Sequence, residues 1–267
     1  MRLSDVNPLA SAFWRMALAA PVLWGWAFTT QKRDVGSGKV IAFSNVLIWC
    51  GLFFAGDMAV WHLSLHFTTV SNATLLSNFA PIFIALWLWI AYRMRFQRLF
   101  LIGMTIALLG AILLVGTGSA GPSTGENKLL GDGLGLFSAV FYGGYQLVIK
   151  EARERYSTAR LMAWSTTITG LFLLPLALWS PGAFWPMSLL AWWPLLALAL
   201  IAQIGGQTVI AYASAHLSAS LSSVSLLIQP LTATIAAWML FHEVIGPLQI
   251  GGGVLLLWGI YLAKKGS

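Results

Sequence analysis

Apolar positions fill nine long stretches of the chain, at about residues 9–28, 40–62, 70–91, 99–116, 130–149, 160–180, 189–213, 218–241 and 247–263. Polar positions collect in the short gaps between them. A helix needs about 20 mostly apolar residues to cross a bilayer, so each stretch predicts a membrane-spanning helix. The longest gap, 117–129, is rich in Gly, Ser, Thr and Pro and separates two halves. A second break, 180–188, carries Pro181 and Pro186. No gap is long or polar enough to hold a soluble domain. The polar residues left inside the stretches are not scattered. Ser138, Tyr142 and Gln146 recur every fourth residue, as do Gln203 and Gln207; Ser71, Thr74 and Asn78, and Ser218, Ser222, Ser225 and Gln229, follow three- and four-residue steps. Each set therefore lies along one face of a helix.

The pattern occurs twice. Residues 70–114 and 219–263 overlay without a gap at a shift of 149, which brings Ser71 onto Ser220, Pro81 onto Pro230, Trp89 onto Trp238, Gly103 onto Gly252 and Gly110 onto Gly259. A Pro, a Trp and two Gly in one register are hard to obtain by chance, even in an apolar chain. The two copies lie five spans apart, an odd number, so they cross the membrane in opposite directions. Inverted repeats of this kind are a construction of secondary transporters. The chain divides on this reading into a first repeat at 1–116, a linker at 117–129 and a second repeat at 130–267. The second repeat has five spans and the first has four. The register expects a further helix ahead of Met1, absent either because the sequence is shortened or because this is a nine-helix variant.

Composition agrees with lipid as the solvent. Hydrophobic residues make up 58% and charged residues 9%, against roughly 25% charged in a soluble domain. The net charge of +7 raises a nucleic-acid partner. The basic residues sit in blocks between spans, however, where a membrane protein places them, so no nucleic acid is expected. Counting alternate sides puts Lys32, Arg33, Lys39, Arg93, Arg95, Arg98, Lys150, Arg153, Arg155, Arg160, Lys264 and Lys265 together, with Arg2 and Lys128 opposite and Arg15 inside a span. Twelve against two places the C-terminus in the cytoplasm. The first copy turns through Arg93, Arg95 and Arg98. The second copy has His242, Val244 and Pro247 at the same positions, and loses its basic charge on the outer side. The first span has a weak basic flank, contains Arg15 and is followed by further spans, unlike a signal peptide. Cys50 stands alone, which excludes an intrachain disulfide and a CxxC metal site.

These residues resemble the drug/metabolite transporter superfamily, in its EamA-type members with two five-helix repeats. The resemblance is carried by SASLSSVSLLIQP ending at Pro230, FHE with Glu243, then Gln249, Gly252 and Gly259. In the first half it is carried by FWRMALA around Arg15, NATLLSNFAP ending at Pro81, and Gly103 and Gly110. Met94 stands where the family has a Glu in the first copy, and the family's first helix is absent. The resemblance implies an all-α, ten-helix transporter of small metabolites or drug-like solutes in the inner membrane, often an exporter, working by alternating access without ATP. No phosphate-cradling loop is present, in agreement with that.

The candidate residues follow from the cost of polarity in a membrane. Arg15 and Asp57 are charged groups within spans, at about 2.5–3.5 kcal/mol each on insertion scales. Their consecutive antiparallel spans bring them to one depth near the outer side. The pair is either structural or a site for substrate or proton coupling. His62 and His66, four apart, could hold a metal only with further ligands; interfacial histidines are the preferred reading, and no metal or cofactor is expected. Ser and Thr in the polar stripes read as interhelical hydrogen bonding. Asn78, Gln146, Gln203, Gln207 and Gln229 have more donors and acceptors to satisfy and are the candidates for a substrate cavity, with Tyr142 and Trp61 beside them and Trp164 as a further wall. Pro81 and Pro230 interrupt spans at matching points and mark either the midplane site or plain kinks. The sequence reading is a secondary transporter with a central cavity between inverted repeats, taking a small-molecule substrate. An intramembrane enzyme would have only Arg15, Asp57 and His62 to offer. A membrane scaffold would need no polar cavity. Proton coupling and a homodimer are both compatible with this reading.

Overall fold

The computed structural model describes residues 5–31, 36, 38, 42–116, 127–241 and 245–267. Arg2, Lys32, Arg33, Lys39, His242, Glu243, Val244 and most of the 117–129 linker lie outside the described residues. Among the described residues every regular element is a helix. They are α1 (Pro8–Thr29), α2 (Asn45–Ser64), α3 (Val70–Ser77), α4 (Ala80–Tyr92), α5 (Arg98–Gly116), α6 (Lys128–Arg155), α7 (Thr158–Trp179), α8 (Trp192–Ala197), α9 (Thr208–Ser214), α10 (Ala219–Ser225), α11 (Ile228–Phe241) and α12 (Pro247–Lys265). A π-helical stretch, Leu198–Gln207, joins α8 to α9. Among the described residues, five rods are long and apolar enough to cross a membrane: Asn45–Ser64, Val70–Tyr92, Arg98–Gly116, Thr158–Trp179 and Trp192–Ser214.

Helix starts follow local chemistry. Asn7 caps α1, its side-chain oxygen accepting from the Ala10 N–H at 2.7 Å, and Pro8 occupies the first turn. Thr69, Ser157 and Ser218 cap α3, α7 and α10 in the same way. The Pro181–Pro186 break is a packed corner. Asn7 donates from its backbone to Ala183 O at 2.8 Å and from its side chain to Ala177 O at 3.3 Å. The Trp14 indole donates to Phe184 O at 2.9 Å, and its ring meets Phe13, Phe184, Trp185 and Trp192.

The chain forms two compact units, each drawing helices from both halves of the sequence. The first holds Met1–His62 and Gly144–His216; the second holds Leu63–Gly143 and Leu217–Ser267. One boundary falls inside α6, between Gly143 and Gly144. In the first unit α1 lies along α7 and the π-helical stretch packs on α1.

In the second unit α5 and α12 pack along one another through the repeated glycines. A Cβ added at Gly103 would stand 2.2 Å from Ala263 N, and one at Gly259 would stand 2.2 Å from Ala107 N. At Gly110 it would meet Leu256 N at 2.4 Å, and at Gly252 it would meet Leu114 N at 2.6 Å. The helices run antiparallel and their backbones touch, as only residues without a side chain permit. Exchanging partners at the sequence shift of 149 turns the 103–263 approach into 252–114, and 110–256 into 259–107. The interface is thus its own image under the repeat.

The same unit holds both span interruptions. The rod Val70–Tyr92 breaks between α3 and α4, and Pro81 lies in the first turn of α4. The break between α10 and α11 occurs at the matching place, with Pro230 the third residue of α11. Both prolines therefore start a helical segment, where a missing N–H leaves no bond unmade, and neither kinks a continuous helix.

Candidate functional site

The sequence-derived candidates divide between the two units. The first unit holds Arg15, Asp57, Trp61, Gln146, Gln203 and Gln207; the second holds Asn78, Pro81, Tyr142, Gln229 and Pro230.

In the first unit Gln203 is fully buried and Gln146 is 4% exposed. Gln203 Nε2 donates to Thr166 Oγ1 of α7 at 2.9 Å, while its Oε1 has no partner. Both amide atoms of Gln146 are buried and unpartnered, as is Oε1 of Gln207. An unmet buried amide group costs about 1–3 kcal/mol, so these atoms are poised for a ligand or for water. Gln203 and Gln207 lie in the π-helical stretch, whereas their spacing predicts an α-helix. A π-helix is rare and frequent at functional sites, because the wider turn redirects side chains. Gly205 and Gly206 fall within it.

Arg15 of α1 is partly buried and Asp57 of α2 is 4% exposed. The Arg15 guanidinium is 4.0 Å from Met58 Sδ and 5.8 Å from the Phe54 ring centre. Phe54 and Met58 flank Asp57 along α2, so the cation lies level with the acid. Phe54 stacks on Tyr145 with centroids 4.5 Å apart, next to Gln146 in α6. Trp61 meets His62 edge-on at 5.0 Å. Helix α2 ends at Ser64, so His66 lies in the following turn and the two histidines do not share a helical face. Among the described residues no three His, Cys, Asp or Glu side chains group for a metal ion.

In the second unit Gln229 is exposed, and its Nε2 donates to Tyr142 Oη at a long 3.4 Å. Asn78 caps the end of α3, with its Nδ2 buried and unpartnered at the helix break. Ser77 and Ser138 pair at 2.9 Å, and Asp132 accepts from Thr68 at 2.6 Å and from Asn72 at 3.4 Å. These serve as interhelical hydrogen bonds.

Arg160 is among the residues that escaped the sequence reading. Arg160 counts there as a charge in a loop, yet it is the third residue of α7 and is only 5% exposed. The signal that finds it is Ser157, a capping residue that moves the helix start ahead of the arginine. Its Nε and Nη2 are buried without a hydrogen-bond partner.

Comparison with known proteins gives one answer. The description "EamA-like transporter family" matches residues 1–116 and 129–264. A transporter of Archaeoglobus fulgidus, itself uncharacterized, is 26% identical over 264 residues, covering 97% of this chain and 89% of that protein. A pseudopaline exporter of Pseudomonas aeruginosa is 26% identical over 211 residues, covering 77% of this chain and 72% of its own length. A protein crystal structure shares the fold at a TM-score of 0.80 and 17% identity, covering 97% of this chain and 87% of that one. Apolar rods of spanning length, a helical fold held by a solved structure and a match over both halves all converge. The chain is a multi-pass membrane protein that belongs to the EamA-like transporter family.

Proposed function

We propose that this protein exports a small polar solute across the cytoplasmic membrane by alternating access, with its C-terminus in the cytoplasm. The observation that carries the reading is the set of buried, incompletely bonded amides at Gln146, Gln203 and Gln207 in the first unit. A membrane protein that only needed to hold its helices together would gain stability from apolar residues there. Keeping the amides makes sense where a solute completes their hydrogen bonds. The matching breaks before Pro81 and Pro230, and the self-imaging α5–α12 interface, suit a transporter built from two inverted repeats. Arg15 and Asp57, at one level, are the proposed charge pair through which a proton gradient acts. A relative named as a transporter supports the transport reading, and one named as an exporter supports the direction.

Proteoliposomes preloaded with a panel of labelled amino acids and small organic acids test the reading. Efflux of one class by the parent, lost in Gln146→Leu and Gln203→Leu while the folded yield stays, is expected. Full efflux by both variants, or none by the parent for any solute in the panel, sinks it. Orientation is checked by cysteine labelling at Gly125→Cys and Ser267→Cys in a Cys50→Ser background; labelling from opposite sides is expected.

A further inference from the structure

Two arginines near the α6–α7 turn are buried, and they are used differently. Arg153, 9% exposed, gives its donors to the backbone oxygens of Ala211 and Tyr156. Those bonds tie α6 to α9 and close the end of α6, so Arg153 is a structural clamp. Arg160 makes no such bond: its Nε and Nη2 are enclosed and unpartnered. Its one described partner is the face of Trp24, whose ring centre is 6.0 Å from Cζ. That cation–π contact offsets part of the desolvation of the charge and leaves the hydrogen-bonding edge open.

A second donor stands one turn further along α7. Trp164 Nε1 is buried and unpartnered, four residues on and so on the same helix face. Its ring meets Trp24 edge-on at 5.0 Å and Phe43 at 4.9 Å. Trp24 is therefore the common neighbour of both groups, while its own indole N–H is spent on Thr167 Oγ1 at 3.0 Å. The cluster thus offers three unmet donors and no unmet acceptor. Both indoles are only partly buried.

The geometry points to a binding site for a carboxylate, formed by Arg160 and Trp164 and walled by Trp24 and Phe43. Nε and Nη2 are one edge of the guanidinium, and their parallel N–H groups match the two oxygens of a carboxylate. The indole N–H supplies a third bond to the same group. The aromatic walls suit an apolar or aromatic body behind the acid. On the orientation proposed above, this end of α7 is cytoplasmic, where an exporter collects its cargo. The role of the site rests on that reading, although binding itself does not. A phosphate, free or on an anionic lipid, shares the chemistry and is an arm of the test.

The test uses full-length protein in phosphatidylcholine nanodiscs and its thermal unfolding midpoint. Benzoate should raise the midpoint with concentration, and the neutral isostere benzamide should not. Arg160→Gln should weaken the response by about tenfold or more, and Trp164→Phe by less. Arg160→Lys keeps the charge without the fork and should also weaken it, which covers the case in which the glutamine variant does not fold. Three results overturn the site: an unchanged benzoate response in both Arg160 variants; an equal response to benzamide; or stabilisation by phosphate or by phosphatidylglycerol discs in place of benzoate. Benzoate binding without efflux of any solute leaves the site standing and sinks the transport reading. Efflux with a benzoate response indifferent to Arg160 does the reverse.

Discussion

The α5–α12 interface of the second unit and the α1–α7–π core of the first solve opposite problems. In the second unit the backbones of two helices meet through Gly103, Gly110, Gly252 and Gly259, with no room for one methyl group. In the first unit Gln146, Gln203, Gln207, Trp164 and Arg160 keep polar atoms buried and unmet. Lipid gives helices little hydrophobic drive to associate, so close packing and hydrogen bonds hold them. The second unit takes the packing to its limit. The first gives up part of its hydrogen bonding, at about 1–3 kcal/mol for each unmet group. On the proposed function, such a deficit is kept where a ligand repays it.

The largest effect should therefore come from the seam. Gly103→Leu places Cβ against Ala263 N and Gly259 O, which are backbone atoms and cannot rotate away. Overpacking costs about 1–3 kcal/mol where side chains can shift; here the helices must part, so loss should reach or pass the top of that range. The folded fraction by size exclusion in detergent should collapse for Gly103→Leu and for Gly259→Leu. Gly251→Ala, beside Gly252 but with open space around its Cβ, should gain up to about 1 kcal/mol from helix propensity. Equal tolerance of Gly103→Leu and Gly251→Ala would break the comparison.

The glycines of the seam were legible as markers of the repeat, two of them seven residues apart in each copy at a shift of 149. That they bring the backbones of α5 and α12 together is visible only in the structure. The polar core was half legible. The four-residue spacing of Gln203 and Gln207 put both on one face, but a π-helical turn has no signature in spacing alone. The Gln203–Thr166 bond joins residues 37 apart, and no local pattern announces it. Arg160 was hidden by a rule that is right on average: basic residues near span ends face the cytoplasmic water. One capping serine decides that this arginine is inside the helix. Pro81 and Pro230 showed where the spans are interrupted, but not that each begins a new segment.

The next effect concerns Arg15 and Asp57. In the proposed pair, removing one member leaves the other charge in a poorly solvating place, which for a buried pair can cost about 3–5 kcal/mol. Arg15→Met and Asp57→Asn should each lower the folded yield, and Arg15→Met with Asp57→Leu should recover it. The recovered double variant should carry solute without dependence on the pH gradient, measured in proteoliposomes with and without that gradient. Single variants that fold and transport as the parent does at every pH would remove both roles and leave the amides as the whole of the site.

A middle-sized effect separates stability from function within one contact. Thr166→Val removes the acceptor of Gln203 Nε2 and leaves a second unmet atom on that buried amide. It should destabilise by about 1–2 kcal/mol. Gln203→Met removes the deficit altogether and should be neutral or stabilising by up to about 1 kcal/mol, while transport falls. Unfolding midpoints in detergent beside proteoliposome efflux give both numbers. A Gln203→Met variant that is clearly less stable would mean that the amide is bonded after all.

The smallest effect is expected where the second unit is polar and open. Gln229 is exposed and its bond to Tyr142 is long, at 3.4 Å. An exposed neutral hydrogen bond of that length is weak, because water replaces it with little loss. Tyr142→Phe and Gln229→Ala should each shift stability by less than about 0.5 kcal/mol, within the usual range for surface changes. Their effect on transport is the informative part. Gln229 sits next to Pro230, in the first turn of the segment that resumes after the α10–α11 break. If the breaks carry the motion, both variants should alter the rate of efflux while leaving the benzoate response of the Arg160 site unchanged. Efflux that matches the parent in both would confine the solute's polar contacts to the first unit. The polar groups of the second would then be helix-to-helix bonding like Ser77–Ser138, and the division between a rigid unit and a binding unit would be complete.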